Sequence, residues 1–157
     1  MPIPANAPAS ARVEMLIPAP LDIVWGVLAE IGEWALWNPQ VSGVDLLGPL
    51  LPGTLFRWRL GGVPIVSALE EVRPGQCLAW SGRALGVRAV HIWSLTEQDG
   101  GVLVSTEESL EGALARFLAW PFRRMLAASL QQALQALHGE CERRVAVLSR
   151  TQRLVTG

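Results

Sequence analysis

Residues 112–148 read GALARFLAWPFRRMLAASLQQALQALHGECERRVAVL, and this stretch decides the architecture. Leu114, Phe117, Leu118, Phe122, Leu126, Leu130, Leu134, Leu137, Cys141, Val145 and Leu148 recur every three or four residues, the spacing that puts side chains on one stripe of an α-helix. Arg123, Arg124, Glu140, Glu142, Arg143 and Arg144 fall mostly on the opposite face, as a solvated surface requires. Pro121 either kinks this helix or marks where its continuous part begins, because proline has no N–H to give to the preceding turn. A helix of about thirty residues with a single apolar stripe needs a sheet face to cover it.

The sequence upstream supplies that sheet. From Val41 to about Leu110 the punctuation is that of antiparallel β structure, with short segments divided by Gly48-Pro49, Pro52-Gly53, Gly61-Gly62, Pro74-Gly75, Gly82 to Gly86 and Asp99-Gly100-Gly101. Phe56, Trp58 and Leu60 alternate with Arg57 and Arg59, so this sheet has one wet face and one dry face. The same alternation groups Leu78 with Trp80, then Ala89, His91, Trp93 and Leu95, and then Val102, Val104, Thr106 and Glu108. Ahead of them, Val13, Met15 and Ile17 alternate in a first strand that Pro18 and Pro20 end. Ile23, Val24, Val27 and Leu28 follow at helical spacing behind Asp22. Gly32 separates them from a second short helix, Trp34 to Trp37, closed by Asn38-Pro39 because a residue before proline is driven out of the helical region. The expected order is strand, two short helices, six strands and one long helix, an α+β class. The expected bounds are a disordered tail at 1–10, one ligand-binding domain at 11–148 and a C-terminal tail at 149–157.

Composition narrows the function. Of 157 residues half are apolar and 17% are charged, a surplus that an interior must absorb. No apolar run is long enough to span a bilayer, and MPIPANAPASAR has neither the basic nor the apolar region of a secretory signal, so the expected location is cytoplasmic. Thirteen basic residues stand against 14 acidic ones, and a net charge of −1 gives the chain as a whole no electrostatic reason to approach nucleic acid or an anionic membrane. Cys77 and Cys141 read as small apolar residues of a strand and a helix. His138 with Cys141 or Glu142 makes an incomplete metal set, and there is no GxSxG, GxGxxG or P-loop motif, so neither metal nor cofactor is expected. Seven Trp, three Phe and no Tyr make the aromatic inventory unusual. Tryptophan offers a large apolar wall with one N–H donor.

The chain resembles the SRPBCC superfamily of helix-grip, START-like proteins, which includes polyketide cyclases and dehydratases, aromatases, lipid-transfer domains and plant allergen-like carriers. The resemblance covers about residues 11 to 147. It rests on IPAPLDIVWGVLAEIGEWALWNP at the start, on the G-T-x-F-x-W of Gly53 to Trp58, and on EEVRPGQCLAW, HIWSL and EESLEG. It implies a curved seven-stranded antiparallel sheet gripping the long C-terminal helix, with a cavity between them. Inward strand residues Phe56, Trp58, Leu78, Trp80, His91, Trp93, Val104 and Thr106 are then expected to line that cavity. Trp34 and Trp37 would join them from the short helices, and Phe117, Phe122, Leu126 and Leu130 from the long one. With Trp25, Trp34 and Trp37 as a lid, such a wall suits an apolar ligand: a lipid, isoprenoid, quinone or polyketide.

His91 is the polar ring on the inward face, and Glu108 projects beside it from the neighbouring strand if the alternation holds. The pair is the candidate catalytic set, with burial and the carboxylate tuning the imidazole toward neutrality for acid–base work. Three functions follow from the resemblance: carriage or sensing of a hydrophobic molecule; a cyclase, aromatase or dehydratase using His91; and an interaction module like the chaperone cofactors of the superfamily, which would show an exposed apolar patch. The apolar LLGPLL of Leu46 to Leu51 leaves monomer and homodimer both open.

Overall fold

The computed structural model describes residue 3 and residues 6–157. Seven strands form one antiparallel sheet: β1 (Ala9–Ile17), β2 (Val41–Leu46), β3 (Leu55–Leu60), β4 (Val63–Arg73), β5 (Cys77–Ala84), β6 (Val87–Gln98) and β7 (Gly101–Glu111). Their order across the sheet is β1-β7-β6-β5-β4-β3-β2, so a six-strand meander is completed by the first strand lying against the last. Helices α1 (Leu21–Ala29) and α2 (Trp34–Trp37) fill the crossover between β1 and β2, joined by one 3₁₀ turn at Ile31–Glu33. After β7 come α3 (Ala113–Phe117) and α4 (Ala119–Thr156).

The alternation in β3 is realised as read, with Phe56 and Trp58 buried and Arg57 and Arg59 exposed. Two irregularities bend the sheet. The β2–β3 register shifts between Ser42 and Asp45, where Gly43 takes a φ of 57°, and the β4–β5 register shifts between Leu69 and Glu71. An extra residue on one strand sharpens its local twist, which curls the sheet toward the helix side. At the β6–β7 turn Gly101 has a φ of 152°, and a Cβ there would overlap the carbonyl of Ile17. Gly101→Ala is therefore expected to cost about 1–3 kcal/mol from backbone strain alone. Chemical denaturation would register this as a lower midpoint with an unchanged slope.

Asn38 ends α2 with extended backbone, as Pro39 demands, and its Oδ1 accepts the Gln40 N–H at 3.1 Å. Pro121 occupies the first turn of α4, where N–H groups have no partner inside the helix, so it begins the continuous helix and does not kink it. The break lies at Leu118 (φ −111°, ψ 35°).

α4 packs on β1, β7 and α1. Leu126, Leu130, Leu134, Leu137 and Cys141 of its stripe are buried as expected. Leu114, Phe117 and Leu148 are not, being 44%, 87% and 50% exposed. The break at Leu118 resets the helical phase, so α3 turns Ala115 inward instead of Phe117.

The main core runs from Ile17, Val24 and Leu28 through the sheet aromatics to Leu134 and Leu137. A second cluster gathers Ala9, Leu110, Ala115 and Leu126 with Phe122 against it. Ala9 and Ser10, read as tail, are strand residues paired with Leu110 and Ser109, because Ala9 belongs to that second cluster. Residues 1, 2, 4 and 5 of the expected tail lie outside the described residues. Residues 149–156, also read as tail, continue α4, since nothing interrupts the helix before Gly157. No helix among the described residues is long and apolar enough to cross a membrane.

Candidate functional site

The concave face of the sheet carries an aromatic wall. Trp58 on β3, Trp80 on β5 and His91 and Trp93 on β6 point inward, and Trp34 descends on them from α2. Ring centroids are 5.1 Å apart for Trp34–Trp80, 5.8 Å for Trp34–Trp58 and 4.5 Å for Trp80–His91, and the His91 and Trp93 rings stack at 5.7 Å. These spacings are those of favourable aromatic pairs. The indole of Trp34 donates to the Leu28 carbonyl at 2.9 Å and that of Trp58 to Ser67 Oγ at 3.0 Å. Gly82, facing Ser67 across the strands, leaves the space this hydroxyl needs: a Cβ there would stand 2.7 Å from Ser67 Oγ. The Trp37 N–H is buried with no hydrogen-bond partner among the described residues.

Between this wall and α4 lies a cavity of about 40 Å³, lined by Leu28, Trp34, Trp37, Asn38, Gln40, Trp58, Leu60, Trp80, His91, Trp93, Glu108, Ser129, Leu130 and Ala133. Eight of the residues expected from sequence meet here: Trp34, Trp37, Trp58, Trp80, His91, Trp93, Glu108 and Leu130. Others expected in the wall do not reach it. Phe56, Leu78 and Val104 are wholly buried in the core, and Thr106 sits behind His91. Phe122 and Leu126 belong to the second cluster, and Phe117 stands in solvent. The alternation assigns a face of the sheet but not a position along it, so residues at either end of the inward face pack away from the cavity.

The sequence reading missed a polar clasp at this site. Ser129 Oγ on α4 donates to Gln40 Oε1 at 2.8 Å, and Gln40 Nε2 donates to the Ser129 carbonyl at 3.2 Å. It joins the α2–β2 connection to α4 across the cavity. The partners are 89 residues apart, and neither carries a local signal.

His91 and Glu108 face each other in register on β6 and β7, with Nδ1 3.8 Å from Oε2. On its other side His91 Nε2 lies 2.7 Å from Thr106 Oγ1. Burial lowers the His91 pKa to about 3 and raises that of Glu108 to about 7. The expectation that His91 would be tuned toward neutrality is thus overturned. Desolvation opposes charge on both groups, which leaves a neutral imidazole beside a carboxyl poised between its two forms at neutral pH. At 3.8 Å the pair is too long for a hydrogen bond and short enough for a bound group to bridge.

Among the described residues no three His, Cys, Asp or Glu side chains cluster as metal ligands. Cys77 and Cys141 are buried and unpaired, and burial pushes the Cys141 thiol up to about 12.

A family model described as polyketide cyclase / dehydrase and lipid transport matches residues 8–142. No curated protein sequence matches the chain. Among solved structures, hypothetical protein jhp0584 from Helicobacter pylori is 23% identical over 88% of this chain and 91% of its own, with a TM-score of 0.74. The Zhui aromatase/cyclase from Streptomyces sp. R1128 is 21% identical over 87% of this chain and 94% of its own, at 0.70. A START superfamily protein from Mycobacterium smegmatis is 14% identical over 85% and 97%, at 0.66. At such identities these likenesses establish the shared fold.

Proposed function

We propose, from the premise that this chain belongs to the polyketide cyclase / dehydrase and lipid transport family, that it binds a hydrophobic small molecule between its concave sheet and α4. The observation that carries this reading is the cavity wall: Trp34, Trp37, Trp58, Trp80 and Trp93 converge on one space with few polar groups. Flat apolar walls with a sparse set of donors and acceptors are the usual make-up of a site for a hydrophobic ligand. The cavity of about 40 Å³ is far below the roughly 300–1,000 Å³ of drug-sized sites, so a ligand must enter by displacing part of the wall. The four-residue α2, which brings Trp34 and Trp37, is the element to move. It is short, and its Leu36 is 81% exposed.

One observation favours a second reading, a dehydratase or cyclase. Proton transfer is most effective when the pKa of the group lies near the working pH, and Glu108, not His91, meets that condition. With a β-hydroxy carbonyl compound bound, the Glu108 carboxylate would take the proton next to the carbonyl and return it to the departing hydroxyl. A C–H and a C–O bond break, a C=C bond forms, water leaves and the carboxylate is regenerated.

Native mass spectrometry of the protein from its own host, with His91→Ala and Glu108→Gln in parallel, tests both readings. Binding predicts a released apolar molecule retained by both variants. Dehydration predicts that a supplied β-hydroxy ketone loses the mass of water with the wild type and not with Glu108→Gln. The binding reading fails if no adduct is found and tryptophan emission stays unchanged on titration with a fatty acid, a quinone and an aromatic polyketide.

A further inference from the structure

We infer that a second surface, away from the cavity, docks this protein onto an anionic lipid bilayer. It consists of α3, the first turns of α4 and the tip of the β5–β6 hairpin. Phe117 is 87% exposed, Leu85 77%, Trp120 66%, Met125 54% and Leu114 44%. Single exposed apolar side chains are ordinary, but a local group that includes Trp and Phe is not. The elements that carry them adjoin: Phe117 and Trp120 flank the break at Leu118, and a Cβ on Gly112, just before α3, would lie 3.1 Å from the Gly86 carbonyl next to Leu85. Leu85 has a φ of 52°, a conformation a leucine rarely takes, so backbone strain is accepted at the tip where this side chain is held outward.

Charge identifies the occupant. Residues 113–139 contain Arg116, Arg123 and Arg124 and no Asp or Glu, so the acidic excess of the chain lies elsewhere. Arg124 stands over the Trp120 ring at 5.1 Å, and Arg123 donates to the neutral Pro8 carbonyl at 3.1 Å and meets no carboxylate among the described residues. Apolar side chains interspersed with arginines match an interface where acyl chains lie under anionic headgroups. A second copy of the chain fits poorly, because a two-fold interface would bring the arginine cluster against itself. The net charge of the whole chain hides this segregation. No helix among the described residues is long and apolar enough to span the bilayer.

The test is flotation of the full chain with phosphatidylcholine vesicles and with mixed phosphatidylcholine–phosphatidylglycerol vesicles, at low and high salt. Binding is expected to the mixed vesicles, weakened by salt. Arg116→Gln and Arg124→Gln should each weaken it about fivefold. Phe117→Ser and Trp120→Ser should each weaken it about tenfold or more. These side chains are exposed, so an unchanged thermal midpoint separates lost docking from lost folding. Absence of binding to either vesicle overturns the inference, as does binding indifferent to the arginine variants. A dimer abolished by Trp120→Ser, without vesicle binding, also overturns it and gives the face to self-association.

Discussion

Replacing Glu108 by glutamine is expected to stabilise the protein increasingly as pH rises, by about 3 kcal/mol more near pH 8 than near pH 4. The folded Glu108 binds its proton up to about pH 7, whereas in the unfolded chain it ionises around the ordinary 4.5. Between those values the native state holds the extra proton, so the wild type loses stability as pH rises through that window. Glutamine keeps the shape and never ionises. His91 acts in the opposite sense, because its folded pKa of about 3 lies below the ordinary 6.5. Stability from the buried neutral imidazole is complete above about pH 6.5 and is lost as pH falls toward 3. From about 4.5 to 6.5 the two slopes cancel, and the wild type should be nearly flat there. Glu108→Gln exposes the His91 slope alone and should gain stability steadily up to about pH 6.5. Urea unfolding followed by tryptophan emission across a pH series measures both profiles. A stability difference that does not change with pH would mean that Glu108 is solvated and the site is wet.

The second large effect is expected from Trp80→Ala. Trp80 is 4% exposed and its ring lies within 6.3 Å of Trp34, Phe56, Trp58 and His91. Deleting a buried indole removes those contacts and leaves a void, for a cost of about 3–5 kcal/mol. Because Trp80 also lines the existing cavity, the new space should join it and form an apolar chamber able to take the missing ring. Added indole should raise the thermal midpoint of Trp80→Ala and leave the wild type unmoved. A variant indifferent to indole would show that the wall collapses inward and does not hold a space open.

How far the site could be read in advance follows from the range of each interaction. Phe56 and Trp58 against Arg57 and Arg59 is a two-residue pattern, and Leu126 to Cys141 is a helical one. Both are local, and both were legible. Pro121 signals a discontinuity, but the phase on either side of it depends on the backbone at Leu118, so the periodicity places Phe117 and Phe122 inward whereas one is in solvent and the other packs against a separate cluster. The Gln40–Ser129 clasp joins distant segments whose meeting only the folded chain defines. The direction taken by His91 turns on the balance between a carboxylate neighbour and desolvation, and burial decides it.

The place of β1 in the sheet has a consequence for how the chain comes to be folded. Its partner is β7, with Ala9 opposite Leu110, so the first strand made must wait for the last strand before it can pair. The meander from β2 to β7 grows by neighbour-to-neighbour hairpins, whereas β1 needs a long loop to close, the kind of contact that slows folding. α4 packs largely on β1 and cannot cover its apolar stripe until that closure has occurred. During synthesis, therefore, the chain passes through a state with the β7 edge unpaired, open to a strand from any other nascent copy.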